Sequence, residues 1–424
     1  MKRVFILMFI SLVSCAVVAQ RQINIAECYD KAQQNYPDIE RYDLIEKSSN
    51  YNINNALKSW LPQISINAKA SYQSDVTTFP FDDLTALFPS ITFPELSRDQ
   101  YMIQAEVVQT LWDGNRTRSQ RKIIESESEI ERKSLEVQLY AIKERVNGLY
   151  FGILLQEEII KQNSILNEEL QSNIERVNVL IDNGVANVSD RQLLEVEVLQ
   201  LKQRTIDLEA SLSTYKKMLS FLIDEEITSD TELIVPSEVY EIDGEINRPE
   251  LQLFDTQNSL LDAKASQLKS DLLPQFALYI NGGYGSPALD LFSDDFEPFY
   301  IAGVRFSWNI GGLYRNKNNM RNIEIQRQSV EVEKEKFIFN SRLAMINQQS
   351  DIQKIRELME SDSDIVELRR DIKLASQVKF DNGTQSMTDL VSDINALNEA
   401  EQRLFTRKIE LLSLIYTYLY TTNQ

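Results

Sequence analysis

The 424-residue chain contains no histidine, so the side chain that most often acts as a general base or metal ligand near neutral pH is missing. Its 64 Asp and Glu residues are spread over stretches of helical spacing, and no hydroxyl or thiol nucleophile can be paired with a base from their order. Solvated helix faces account for such carboxylates. The residue types therefore argue against an enzyme, a cofactor and a protein-held metal, and what remains for side chains is passive chemistry. Lys69, Glu106 and Arg305 occupy polar positions of alternating segments, where charges on an inward strand face would tune the passage of ions. The competing reading is that all three are solvated and tune nothing.

Four segments must position these residues. Ile64, Ile66, Ala68, Ala70 and Tyr72 alternate with Ser65, Asn67, Lys69 and Ser71. From about Tyr101 to Trp112, Tyr101, Ile103, Ala105, Val107 and Leu111 alternate with Gln104, Glu106 and Thr110. Phe276, Leu278, Ile280 and Tyr284 alternate with Ala277, Tyr279 and Asn281. Tyr300 to Ile310 repeats the pattern around Gly303, Arg305, Ser307 and Asn309. The segments predict two hairpins, 63–112 and 275–310, with about ten residues a side, enough for tilted membrane strands. Tyr72, Tyr101, Trp112, Tyr284, Tyr300 and Trp308 fall near strand ends, where amphipathic rings favour a membrane–water interface. An ordinary sheet with one wet face is the alternative.

The hairpins belong to a duplicated chain. Asn35-Tyr36-Pro37-Asp38 returns as Asn247-Arg248-Pro249-Glu250, and Leu61-Pro62-Gln63 returns as Leu273-Pro274-Gln275, both at a spacing of 212. Asp182-Asn183-Gly184 returns as Asp381-Asn382-Gly383 at a spacing of 199. Such self-similarity means that one structural unit is used twice. No proline falls in 95–235 or 299–424, which permits very long helices. One is predicted over about 115–181 and one over about 314–381, each about 100 Å long at ~1.5 Å per residue. Each ends at its acidic-Asn-Gly stop and is followed by a return, Leu194 to Leu222 and Leu390 to Ile415, with heptad-like apolar spacing. A short helix over about 38–59 precedes the first hairpin. The reading is thus a leader 1–19, a first repeat 20–223, a linker 224–247 and a second repeat 248–424.

Lys2 and Arg3, the apolar run Val4 to Val13 and the small residues ending at Ala19 form a secretory leader with a cut before Gln20. Leu12-Val13-Ser14-Cys15 also fits a lipoprotein box that would acylate Cys15. Cleavage after Ala19 leaves Cys28 alone, a small buried apolar residue of the first helix with no disulfide partner. Removing Lys2 and Arg3 from 44 basic residues against 64 acidic ones takes the formal charge from −20 to −22. That acidity argues against nucleic acid. No later segment carries eighteen consecutive apolar residues, so membrane entry would require strands.

Four strands cannot close a barrel, and open edges in hydrocarbon leave backbone groups unpaired at several kcal/mol each. Chains must then share one barrel; two would supply eight strands, and three would supply twelve around a lumen. The chain resembles the outer-membrane efflux protein family, the TolC-like outer-membrane factors, over essentially its whole mature length. The duplicated Asn-x-Pro-acidic starts, the Leu-Pro-Gln junctions, the strand-to-helix glycines and the acidic-Asn-Gly tips carry the resemblance. It implies a mainly α protein with long antiparallel coiled-coil helices and four β-strands per chain. It further implies a homotrimer with a twelve-stranded barrel in outer-membrane lipid and a periplasmic α-helical tunnel. Such a duct serves tripartite efflux or type I secretion, docking a periplasmic adaptor (membrane fusion) protein and an inner-membrane transporter.

The resemblance also assigns residues. It places Asp389 where the family carries a ring of lumen-facing aspartates at the periplasmic entrance, with Asp393 one helical turn later. A helix-capping role for Asp389 is the alternative. The family's entrance latch joins a Tyr and an Arg in the second tip to a hydroxyl-Asp pair in the first. Here the pair is Ser189-Asp190 and the partners are Phe380 and Gln385, so a salt-bridge latch is lost and a weaker gate is implied, with Gln385 still able to hydrogen-bond Asp190. Gly184 and Gly383 are turn glycines first and adaptor-contacting positions second. Loops 73–99 and 285–299, with Phe79, Phe81, Phe88, Phe93, Phe292, Phe296 and Phe299, would face outside. A periplasmic coiled-coil adaptor or scaffold without a barrel is the rival reading.

Overall fold

The computed structural model describes residues 21–76, 97–228, 231–237, 244–290 and 293–424. The leader, Cys15, Phe79, Phe81, Phe88, Phe93 and Phe292 lie outside the described residues. The chain is mainly helical. In order it contains β1 (Arg21–Ile23), α1 (Ile25–Asn35), α2 (Arg41–Leu57), β2 (Gln63–Tyr72), β3 (Asp99–Trp112), α3 (Arg116–Tyr140), α4 (Ile142–Asp182) and α5 (Val188–Ile223). There follow β4 (Thr231–Leu233), α6 (Pro249–Ser270), β5 (Gln275–Ser286), β6 (Glu297–Ser307), α7 (Gly312–Asp381) and α8 (Met387–Thr422). Two compact units form, each drawing on both halves of the sequence. One takes the described parts of Met1–Ile39, Gln138–Arg248 and Ile338–Gln424, and the other takes Glu40–Val137 and Pro249–Phe337.

In the second of these units the two predicted hairpins merge into one antiparallel sheet of order β2-β3-β5-β6. The merging strands are β3 and β5, paired from Tyr101 opposite Ser286 to Trp112 opposite Phe276. Alternation in each strand predicted a two-faced hairpin, and the register aligns all four apolar sets on one face. Ile66 stands opposite Ala105, Val107 opposite both Ile64 and Ile280, and Leu278 opposite Val304. Apart from half-buried Val107 these side chains are exposed, Ile66 at 72% and Val304 at 65%. A bulge between Thr110 and Trp112 shifts the alternation by one residue. It brings Trp112 into the apolar row, where its ring lies 6.0 Å from Phe276, itself 5.2 Å from Phe306. At the other end Tyr101 and Tyr284 flank Phe296 at 6.2 and 5.7 Å. The eight residues from Phe276 to Tyr284 separate the two aromatic rows by about 27 Å at strand rise.

Strand β6 stops at Ser307, short of the expected Ile310. Trp308 instead donates from its indole nitrogen to the Leu272 carbonyl at 2.9 Å, and the backbone turns at Asn309 into α7. The equivalent turn after β3 uses Gly114, whose φ of +68° is left-handed.

The long helices match their sequence periods. The first is interrupted only at Ala141, whose φ of −62° and ψ of −17° remain helical, and the second runs unbroken for 70 residues. In the first unit the heptad rows bury Leu166, Leu170, Val177, Leu194 and Leu201 of α4 and α5 with Met387, Leu390, Val391 and Ile394 of α8. Unpredicted by the sequence, β1 pairs in parallel with β4, and the Tyr150 hydroxyl lies 2.9 and 2.7 Å from the carbonyls of Ile23 and Ile234. The linker thus contributes β4 to this pairing. Lys31 and Arg21 bind Glu225, and Lys31 holds the Glu225 carboxyl below the ordinary range. Burial pushes the Cys28 thiol up to about 12, so it packs as a small apolar group.

The duplicated Asn-x-Pro motifs sit at helix ends. Asn35 donates from Nδ2 to the carbonyls of Phe221 and Leu222 at 3.1 and 3.2 Å, where α5 terminates and its last carbonyls lack helical partners. Asn247 donates from its backbone to Thr422 at the end of α8, and accepts from Asn423 at 2.8 Å.

A Cβ at Gly114 would stand 2.9 Å from Leu273 Cβ and 3.2 Å from the carbonyls of Ser270 and Pro274. Gly114→Ala is therefore expected to cost about 2 kcal/mol from left-handed strain and overpacking. A thermal melt of the detergent-solubilised protein reads it as a lowered midpoint.

Candidate functional site

The two helical turns at Asp182-Asn183-Gly184 and Asp381-Asn382-Gly383 are built identically. Each helix ends in a left-handed glycine, Gly184 at φ +74° and Gly383 at φ +71°. The following amide reaches back five residues, Val185 to Leu180 at 2.8 Å and Thr384 to Lys379 at 2.9 Å. Asn183 and Asn382 add side-chain donors to Val179 and Val378, each at 2.8 Å. No atom lies within 4 Å of where a Cβ would stand on either glycine, so the left-handed backbone rather than crowding selects glycine there. Both positions face open space.

The returning helices also begin alike. Asn187 caps α5 and Asp190 closes the box, accepting from the Asn187 amide at 2.9 Å. Ser386 caps α8, accepting from the Asp389 amide at 3.2 Å and donating to the Asp389 carboxylate at 2.7 Å. Asp389 is exposed, as is Ser189. Ser386 rather than Asp389 supplies the cap, and the Asp389 carboxylate, bound by the Ser386 hydroxyl, faces solvent. A carboxylate in the first turn is also favoured by the helix dipole.

Asp393 is half-buried and bound within its own turn. Ser376 donates to its Oδ2, and Gln385 reaches both Ser376 Oγ and, at 3.4 Å, the same carboxylate. Gln385 therefore spends its amide on Asp393, not on Asp190, whose carboxylate is taken by Asn187. Phe380 packs against the apolar cluster of α4, α5 and α8. The four latch residues are thus near the turns but not joined to one another inside one chain.

Contacts that the sequence did not reveal tie the two turns together. Arg176 of α4 meets Asp381 of α7 at 3.4 Å, Glu169 pairs with Lys373 one step farther back, and Asn395 donates to Glu197 at 3.2 Å. These pairs join helices distant in sequence, so no local spacing could mark them. The Arg176–Asp381 pair is exposed and worth little by itself, whereas the other two are half-buried.

In the other unit, the second face of the sheet gathers Lys69, Gln104, Glu106, Tyr279, Asn281, Gly303 and Arg305. Arg305 crosses β5 to bind Glu106 at 2.7 Å, with its guanidinium 5.0 Å over the Tyr279 ring. Gly303 leaves room for that ring, since a Cβ there would meet the Tyr279 hydroxyl at 2.9 Å. Lys69, opposite Met102, stands exposed on the same face. Glu106 and Arg305 are brought together and neutralise one another, and Lys69 is left outside that pair.

Among the described residues no group of His, Cys, Asp or Glu could hold a metal ion, and no helix is long and apolar enough to cross a membrane. The sequence matches no protein-family profile and no curated protein. Solved structures do resemble it. The outer-membrane channel OprN matches with a TM-score of 0.68 at 14% identity, over 94% of this chain and 89% of its own. The outer membrane protein VceC of Vibrio cholerae gives 0.67 at 12%, over 94% and 95%. The open state of the Neisseria gonorrhoeae MtrE outer membrane channel gives 0.66 at 13%, over 94% and 88%. This chain therefore has the TolC-like fold of outer-membrane channels.

Proposed function

We propose that the protein is an outer-membrane exit duct, a passive channel rather than an enzyme, in which three chains pool their sheets into one twelve-stranded barrel. One observation carries this reading. The four-stranded sheet presents a continuous exposed apolar face bounded by two aromatic rows, while its edge strands β2 and β6 have no partner on their outer sides among the described residues. The ~27 Å between the rows is close to the ~25 Å apolar band of outer-membrane barrels. In water such a face would be a large exposed apolar patch. In lipid it is solvated, and then the edges must be paired by other copies. The amide- and hydroxyl-rich opposite face, with Glu106 and Arg305 paired, would line the lumen.

On this reading the helices form the periplasmic part, and the turns at Gly184 and Gly383 are the ends offered to a periplasmic adaptor and, through it, to an inner-membrane pump. Asp389 copies would converge at the entrance and favour cations. Asp393, held by Ser376 and Gln385, supports the base of that ring. Cargo is left to the pump, and drug efflux and protein secretion fit the duct equally.

Fractionation tests the class. A heat-modifiable trimer in detergent-extracted outer membrane is expected, whereas a protein released by a salt wash would mean a periplasmic scaffold. In planar bilayers Asp389→Ala is expected to lower cation selectivity; unchanged reversal potentials would remove Asp389 from the entrance. Gln385→Arg, which supplies the cation that the proposed latch to Asp190 lacks, is expected to reduce basal conductance. If conductance stays the same, Asp190 and position 385 do not form a gate.

A further inference from the structure

The duplicated chain contains two copies of one helix joint, and among the described residues only one is filled. At the second joint, where α8 ends, Tyr420 stacks on Tyr140 with ring centres 4.9 Å apart and an interplanar angle of 11°. The Arg248 guanidinium lies 4.6 Å from the Tyr420 ring and 4.7 Å from Tyr140. The Tyr140 hydroxyl donates to the Tyr420 carbonyl at 2.5 Å, and Lys143 sits 4.8 Å over the Tyr140 ring. Tyr140 and Lys143 belong to the long helix of the first repeat. The end of the second repeat is thus closed by a long helix from the first.

The spacing of 199 that relates the two turns carries Tyr420 onto Phe221, Tyr140 onto Phe339 and Lys143 onto Arg342. That register is supported by structure: Val146 and Met345, Ile153 and Ile352, and Leu219 and Tyr418 are buried in both copies. Asp224 and Asn423, which terminate the two returning helices, share left-handed φ values of 50° and 60°. At the first joint the Asn35 cap is in place, but among the described residues no ring stacks there. Phe221 is 86% exposed and borders a cavity of about 900 Å³ with Tyr36, Tyr215, Met218 and Asp224. Phe339, the counterpart of Tyr140, is 62% exposed on α7 beside exposed Leu343 and Ile346, and Arg342 is exposed with it.

We infer that Phe339 and Arg342 of a second copy of this chain fill the cavity at the first joint. The Phe339 ring packs on Phe221, and the guanidinium turns toward Asp224. The contact made in cis by Tyr140, Lys143 and Tyr420 is thereby remade between chains. Each chain offers one empty joint and one unmatched long helix, which are different surfaces. Such an interface is heterologous and runs head to tail until a ring closes. The inference rests on the multi-chain reading above and adds which surfaces meet.

Disulfide trapping in the full-length protein tests it. Phe221→Cys with Phe339→Cys, oxidised in detergent or in membranes, is expected to give dimer- and trimer-sized bands on non-reducing gels. Equal mixtures of chains carrying one cysteine each, assembled together, are expected to stop at dimers. The buried Cys28 does not compete. Phe221→Cys with Leu374→Cys, farther along α7, should cross-link at least tenfold less. A monomer-sized product alone, or no cross-link in a particle that light scattering sizes as several chains, overturns this contact and leaves the multi-chain reading standing. A particle the size of one chain, with the cavity occupied only by detergent, overturns both. As a second variant, Phe339→Asp should lower the assembled fraction at least tenfold with helical circular dichroism retained, whereas Phe339→Tyr, the side chain of the equivalent position, should keep it. Unchanged assembly in Phe339→Asp would also refute the inference.

Discussion

The constraint on which the rest depends is the unpaired backbone at the edges of a sheet with one apolar face. Strands β2 and β6 each present a row of amide and carbonyl groups on one side. Water would satisfy those groups but not the isoleucine, valine and tyrosine face beside them, and hydrocarbon would satisfy the face but not the edges. The proposed barrel, in which a lipid-facing sheet is continued by identical sheets, resolves both demands. In that proposal the pairing of chains follows from hydrogen-bond accounting.

Helix ends obey a similar accounting. A chain with long paired helices has many carbonyl ends to satisfy, and the duplicated motifs do this in pairs: Asn35 at the end of α5, Asn247 and Asn423 at the end of α8, and a left-handed glycine with a donating asparagine at each turn. The motifs that carried the sequence resemblance are therefore mostly termination chemistry. A cap depends on residue type at one position, whereas a coiled-coil core accepts many apolar combinations.

Charge plays a lesser part. Of the pairs linking α4 with α7, Arg176–Asp381 is exposed and Glu169–Lys373 half-buried, and the first-turn carboxylates Asp190 and Asp389 bind within their own helix starts. The Asp389 carboxylate is tied to the capping Ser386 hydroxyl and still faces solvent, which leaves it available for the proposed entrance role. Gln385 is engaged with Ser376 and Asp393, so the proposed reach to Asp190 would compete with those bonds.

The sequence by itself determined what depends on short-range periodicity and punctuation: the four strands and their apolar faces, the long helices, both left-handed glycine turns and the buried Cys28. It missed the three-residue pairing of β1 with β4, too short for any period to register. It also missed the early end of β6, decided by an indole reaching Leu272. Only the tertiary structure joined the two hairpins into one sheet, used a bulge to turn Trp112 into the aromatic row, paired Glu106 with Arg305 across β5, and gave Gln385 to Asp393. Each of these joins residues far apart in the chain or selects among several partners a side chain could reach. Local spacing fixes which face a residue occupies, but only the packed chain decides what stands opposite it.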